Sequence, residues 1–121
     1  TSDARNSPAI DICLELLEEQ AEVVITDPYA LDNAREALGP AAGRVTFEPD
    51  PYAAAEGAHA IAILTEWQMF AELDYQVIHQ NMVQPAFIFD GRNILDHRTL
   101  HDQGYNVYAI GKPPRTHFPG T

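Results

Sequence analysis

The chain has 121 residues, of which 45% are hydrophobic and 21% charged, and this composition predicts a single folded domain with one core. Seven basic residues against eighteen acidic ones give a net charge of −11, so we expect no nucleic-acid partner, which would need a basic face. No apolar run is long enough to span a bilayer and no charged leader precedes one, which predicts a cytoplasmic protein without membrane contact. The single cysteine, Cys13, fits a reducing compartment.

Short helices alternate with short apolar strands in the first half of the chain. A polar cap before a proline at residues 6–8 opens a helix, and Cys13 falls on its buried face. The β-branched run at residues 22–26 predicts a strand, and the helix Leu31–Leu38 that follows is stopped by a glycine and a proline. A brief strand is predicted at residues 45–47.

The same alternation continues in the second half, where Asp50 and Asp74 are each placed to cap a helix. The first two strands of this half are apolar at every position, as expected of strands that are covered on both faces. The predicted elements are strands at residues 60–64, 87–89 and 105–110, helices at 74–82 and 95–102, and a tail rich in proline and glycine at 112–121.

This order of elements predicts an α/β fold, a Rossmann-like parallel sheet with helices on both faces. A fold of this type normally opens on its central strand, whereas this chain opens on a helix and has no G-x-G-x-x-G after a strand. We therefore expect the first, central strand to be lacking. The isolated chain would then leave a gap in its sheet or fill it from another molecule.

Ligands bind parallel sheets beyond the carboxyl ends of the strands, which draws attention to the residues after the strand at 87–89. Gly91 lets the backbone turn sharply and approach a ligand, and Arg92 supplies a guanidinium that could grip a phosphate or a base edge. Asp90 could orient Arg92 or bond to a ligand hydroxyl. The alternative is a surface arginine that is paired with Asp90 or Asp96.

Other candidate residues carry weaker signals. Arg5 lies just ahead of a helix N-terminus, a position that attracts anions, but a solvated arginine is the commoner case. Asp27 ends a strand where dinucleotide-binding folds place a ribose-binding acid, although Asp-Pro is also a common turn. His97 and His101 have the spacing of two metal ligands on a helix, but no third ligand is evident, so we expect no metal.

Six blocks along the chain form a recognisable set: TSDARNSPAI, ITDP, DPYAAAEGAHAIAILTEWQMF, LDY, MVQPAFIFDGRNILD and YNVYAIGKP. Taken together and in order, they resemble the C-terminal domain of the UDP-glucose 6-dehydrogenase family. The resemblance extends from residue 1 to about residue 113, which we interpret as one nucleotide-sugar-binding domain, 1–113, followed by a tail, 114–121.

The resemblance implies a role in the NAD-dependent oxidation of UDP-glucose to UDP-glucuronate, which takes two hydride transfers. By similarity to the F-D-G-R block, Arg92 is expected to contact the UDP-sugar, together with Gly91 and Asp90. By similarity to the T-x-D-x-R block, Arg5 is expected to reach the NAD across an interdomain cleft. The parent enzyme is expected to be a homodimer or a larger oligomer.

The departures from the family pattern imply that the chain carries no catalytic residue. The family's catalytic cysteine belongs to a G-x-x-C block that is not present, and Cys13 does not match it. The catalytic lysine and the glycine-rich NAD turn are absent as well. We therefore expect an inactive fragment, with NAD bound mainly by an N-terminal domain that this chain lacks.

Three other interpretations stay open at this point. The chain could belong to a dehydrogenase for another nucleotide sugar, such as an N-acetylated UDP-sugar or GDP-mannose. It could be a non-enzymatic α/β binding module, although the features of a receiver domain are missing. It could also serve only as a dimerisation surface.

Overall fold

The computed structural model describes residues 8–27 and 31–118. The chain divides into two compact units, Thr1–Ala54 and Ala55–Thr121, and each unit has its own cluster of buried apolar side chains. No helix in the described part of the chain is long and apolar enough to cross a membrane.

The first unit is built around two short parallel strands. Helices and strands alternate as predicted, and the register pairs Val23 with Val45. Its core is formed by one face of each helix, where Ile10 and Cys13 meet Ala34 and Leu38. The elements are α1 (Pro8–Glu18), β1 (Val23–Ile25), α2 (Leu31–Leu38), a 3-10 segment (Gly39–Arg44), β2 (Val45–Phe47) and α3 (Pro51–Ala55), whose last residue begins the second unit.

The second unit contains a four-stranded sheet in the order β3-β4-β5-β6. The first three strands are parallel, and the last runs antiparallel to its neighbour. Its elements are β3 (Ala60–Ile63), α4 (Gln68–Ala71), α5 (Tyr75–Gln80), β4 (Phe87–Asp90), α6 (His97–Asp102), β5 (Asn106–Ala109) and β6 (Lys112–Arg115). Parallel strands separated by helices confirm the predicted α/β class.

Side-chain caps explain where the helices of this unit begin. The Asp74 carboxylate accepts from the Val77 amide at the start of α5, and the Asp96 carboxylate accepts from the Thr99 amide at the start of α6, both at 3.2 Å. Because these bonds satisfy amides that have no partner within the helix, they fix the first turn. Gly104, with a φ of 112°, ends α6 in a conformation that other residues avoid.

The two faces of the sheet differ in how well they are covered. Ile88 and Val107 lie on the buried face, where Tyr105 and Leu100 close the core. On the opposite face Phe89 is 44% exposed, and its ring stacks on that of Tyr108 with 5.2 Å between centroids. Full burial of β4 on both faces was expected, and the exposed Phe89 differs from that expectation.

Two further features differ from, or extend, the sequence expectations. The segment interpreted as a tail from residue 112 begins with a strand, because β6 pairs with β5. The described strands form two separate sheets, β1-β2 and β3-β4-β5-β6, rather than one continuous sheet.

Candidate functional site

The candidate site is the segment that follows β4, which we call the β4–α6 loop, residues 91–96. Asp90 is the last residue of β4, and β4 lies between β3 and β5 in the sheet. Its side chain is completely buried. A buried carboxylate needs hydrogen-bond partners, and these partners determine the conformation of the loop.

The Asp90 carboxylate accepts hydrogen bonds from three donors. One oxygen accepts from the Arg92 amide at 3.1 Å, and the other accepts from the Leu95 amide at 2.9 Å and from His97 Nε2 at 2.8 Å. Burial by itself would raise the pKa of Asp90, but the hydrogen bonds from His97 and the loop amides outweigh it and hold the pKa below its ordinary value. The carboxylate is therefore ionised at neutral pH, and His97 Nε2 must carry the proton.

These contacts bear on the two roles left open for Asp90. Its carboxylate has no exposed surface and holds the backbone of the β4–α6 loop at both ends, at Arg92 and at Leu95. Asp90 therefore orients Arg92 through its backbone. The sequence analysis considered His97 only as a possible metal ligand, and its hydrogen bond to Asp90 was not predicted.

Gly91 brings the loop close to the neighbouring strand. Its amide donates to the Ile63 carbonyl at 2.9 Å, and a Cβ at this position would lie only 3.0 Å from that same oxygen. The left-handed residue of the loop is Asn93, with a φ of 55°, and not Gly91. A glycine suits position 91 because two backbones approach each other closely, while Asn93 makes the turn.

Arg92 pairs with an acid from another strand end. Its guanidinium lies 3.0 Å from the Glu66 carboxylate, and the two side chains are 42% and 69% exposed. Because β3 and β4 are parallel neighbours, residues 65–67 and 90–92 follow them at the same edge of the sheet. The expected alternative partners, Asp90 and Asp96, do not pair with the Arg92 guanidinium; Glu66 does.

An exposed ion pair of this kind stabilises a fold by about 0–1 kcal/mol, so an anionic ligand can replace Glu66 at little cost. Arg92 is therefore a cation at the edge of the sheet, with a backbone that is hydrogen-bonded to Asp90 and an ion-pair partner that is easily exchanged. This arrangement suits recognition of a phosphate or of another planar anion.

The remaining candidates are a second arginine, a pair of histidines and a cysteine. Arg5 lies outside the described residues. His97 and His101 turn to different partners, since His97 bonds to Asp90 while His101 Nε2 lies 2.9 Å from the Thr116 carbonyl. Within residues 8–27 and 31–118, no three His, Cys, Asp or Glu side chains are grouped as metal ligands. Cys13 is buried, and burial raises the pKa of its thiol, as expected of a core residue.

Comparison with known proteins gives a consistent set of matches. Residues 1–97 match the model of the UDP binding domain of the UDP-glucose/GDP-mannose dehydrogenase family. The chain is 46% identical to a UDP-glucose 6-dehydrogenase of Caenorhabditis elegans over 94% of its length. It is 42% identical to UDP-glucose 6-dehydrogenase 5 of Oryza sativa subsp. japonica and 40% identical to UDP-glucose 6-dehydrogenase 4 of Arabidopsis thaliana, in each case over 93% of its length.

The aligned region is a small part of each of these relatives. It covers 25% of the nematode protein and 27% of each of the two plant proteins. The chain therefore spans about a quarter of the length of the curated relatives that it matches.

Proposed function

The chain belongs to the UDP-glucose/GDP-mannose dehydrogenase family, as its UDP binding domain, and from this premise we propose that it binds the UDP-sugar substrate of an NAD-dependent UDP-glucose 6-dehydrogenase. The observation that carries the proposal is Arg92. Its guanidinium lies at the carboxyl edge of the sheet with an ion-pair partner that a ligand can replace, and its backbone is hydrogen-bonded to Asp90.

In this proposal the UDP-sugar displaces Glu66 from Arg92. The guanidinium donates to the ligand, and Gly91 and Asp90 contribute by holding the loop in place rather than by contacting the reacting carbon. Contacts to the nucleotide would orient the sugar toward catalytic groups that this chain does not carry.

The described residues do not fit the pyrophosphate of NAD. Neither β1 nor β3 is followed by a glycine-rich turn leading into a helix, which is the feature that cradles a dinucleotide. We place NAD mainly on another domain of a longer, cytoplasmic, oligomeric enzyme, with Arg5 of this chain reaching it. Hydride transfer and the covalent chemistry would occur there, and this chain alone would be inactive.

Calorimetric titration of UDP-glucose into the full-length enzyme tests the proposal. We expect Arg92→Ala to weaken binding by about 1.5–3 kcal/mol, because a charge-assisted contact is lost. Arg35→Ala is the matched control, since it removes an exposed arginine that is paired with Asp32 on α2 in the other unit. We expect it to leave the affinity unchanged.

If the folded Arg92→Ala variant binds UDP-glucose as tightly as wild type, the UDP-sugar does not bind at the β4–α6 loop. The same titration with an N-acetylated UDP-sugar and with GDP-mannose identifies the sugar nucleotide. Tighter binding of either would assign the chain to another dehydrogenase of the family.

A further inference from the structure

A second concave site lies in the same unit, between α6 and β6. It is a cavity of about 570 Å³, and three basic side chains line it: Arg98, Lys112 and Arg115. A volume of this size is typical of sites for small molecules. Glu66, Gly91 and Arg92, where we place the UDP-sugar, do not line the cavity, although Leu95 and Asp96 at the end of the β4–α6 loop do.

The three basic residues share a second property. Six of the chain's seven lysines and arginines lie among the described residues, and three of those six have a polar partner there. Those three pairs are Arg35 with Asp32, Arg44 with the Leu17 carbonyl, and Arg92 with Glu66. The other three cations have no ion pair or side-chain hydrogen bond with any described residue, and they are the ones that line this cavity.

The acid in the cavity wall does not neutralise them. Asp96 directs its carboxylate to the start of α6, where it accepts from the Thr99 amide at 3.2 Å and from the Thr99 hydroxyl at 2.9 Å. The cavity therefore carries three positive side chains against one negative side chain, on a protein whose net charge is −11. Gathering like charges costs free energy that a bound anion would recover.

Apart from His97, the rest of the lining is apolar and gives the cavity a shape as well as a charge. Strand β5 contributes Val107 and Ala109, and β6 contributes Pro113 and Pro114. Proline rings and short aliphatic side chains present flat surfaces to a planar or ring-shaped body. The guanidinium groups of the two arginines can each donate paired hydrogen bonds to the oxygens of a phosphate, and the lysine supplies a compact third charge.

We propose that the cavity between α6 and β6 binds a small phosphate-bearing molecule. Its phosphates contact Arg98, Lys112 and Arg115, and its less polar body rests on the prolines of β6. The ligand does not contact Arg92, although His97, which hydrogen-bonds to Asp90, lies in the wall of the cavity.

Pyrophosphate is the probe, titrated by calorimetry into the full-length protein that carries Arg92→Ala and is saturated with NAD, so that neither the proposed UDP-sugar site nor the NAD site contributes. We expect saturable binding, and a loss of roughly tenfold in affinity when Arg98→Gln is added, because one charge-assisted contact is removed. The control adds Arg35→Gln instead, which makes the same change in charge on an exposed arginine of another helix. This control should bind pyrophosphate as tightly as its parent.

Lys112→Gln and Arg115→Gln are expected to weaken binding in the same way, and the variant with all three changes should not bind. The inference is overturned if pyrophosphate does not bind, or if Arg98→Gln and Arg35→Gln have equal effects. Citrate, a trianion without phosphate, is the specificity control, and citrate binding as tight as pyrophosphate binding would contradict the assignment of a phosphate. All the changes are at exposed positions, and unchanged melting temperatures would show that the variants are folded.

Discussion

The segment that precedes helix α6 and the cavity beside that helix hold charged groups in opposite ways. Before the helix, the buried Asp90 carboxylate has three hydrogen-bond donors of its own protein and is completely shielded from solvent. Beside the helix, three exposed cations line a cavity and have no polar partner among the described residues. The first arrangement stabilises the fold and the second leaves charge for a ligand, so substitutions on the two sides should have different effects.

The largest effect is expected from Asp90→Asn. An asparagine offers one acceptor oxygen and one NH₂ group, so at least one loop amide or His97 would face another donor inside the protein. We expect the loop to lose about 3 kcal/mol of local stability, the cost of an unsatisfied buried polar group and a lost charged acceptor. Hydrogen–deuterium exchange of peptides that cover residues 90–97, in the full-length protein, measures this loss. Wild-type protection in the variant would contradict the network.

The pH dependence of hydrogen exchange in the same loop is a second test of the Asp90 network. The pKa of Asp90 is lowered in the folded protein, so the ionised carboxylate adds stability above the ordinary aspartate pKa of about 4 and loses this contribution as the pH falls through its folded pKa. Protection of the loop, corrected for intrinsic exchange, should therefore fall below about pH 4 in wild type. Asp90→Asn should lack this component.

A smaller effect is expected from Gly91→Ala. The added methyl would lie 3.0 Å from the Ile63 carbonyl oxygen, which belongs to backbone and cannot turn aside. We expect a cost of about 2 kcal/mol, together with a displaced Arg92 and weaker binding of UDP-glucose. Thermal unfolding and calorimetry of the full-length protein measure the two effects. An alanine variant with wild-type stability and affinity would show that the close approach has no consequence.

The smallest effect on stability is expected from a substitution in the cavity between α6 and β6. Arg98→Gln removes an exposed charge without a described partner, so the free energy of unfolding should change by no more than about 0.5 kcal/mol. Denaturant unfolding of this variant beside Asp90→Asn would sharpen the contrast between a charge that holds the fold and one that does not. A cost above 1 kcal/mol for Arg98→Gln would mean that Arg98 has a structural role.

The sequence predicted the order of the elements well because strong local signals mark their ends. Helix α2 and strand β2 have the predicted bounds, and Asp74 acts as the predicted cap. Each signal depends on the residue's own backbone preferences, which tertiary contacts leave unchanged here. The position of Arg92 at a strand end followed from the same reasoning.

The errors arose where the outcome depends on residues far apart in the chain. Strand β6 was interpreted as a tail because it contains two prolines, yet an edge strand tolerates them. An apolar run such as β4 does not reveal which face is covered, and Phe89 is exposed. The pairing of Arg92 with Glu66 could not be predicted from local spacing, since it depends on β3 and β4 being neighbours.

The two prolines of β6 also decide how the sheet of the second unit can grow. Pro113 and Pro114 have no N–H group, and β6 occupies one end of the order β3-β4-β5-β6. This end offers a poor template for an incoming strand and protects the sheet from edge-to-edge aggregation. Strand β3, at the other end of the order, contains no proline. Any strand that extends this sheet, whether from the same polypeptide or from another copy, is therefore directed to the side of β3.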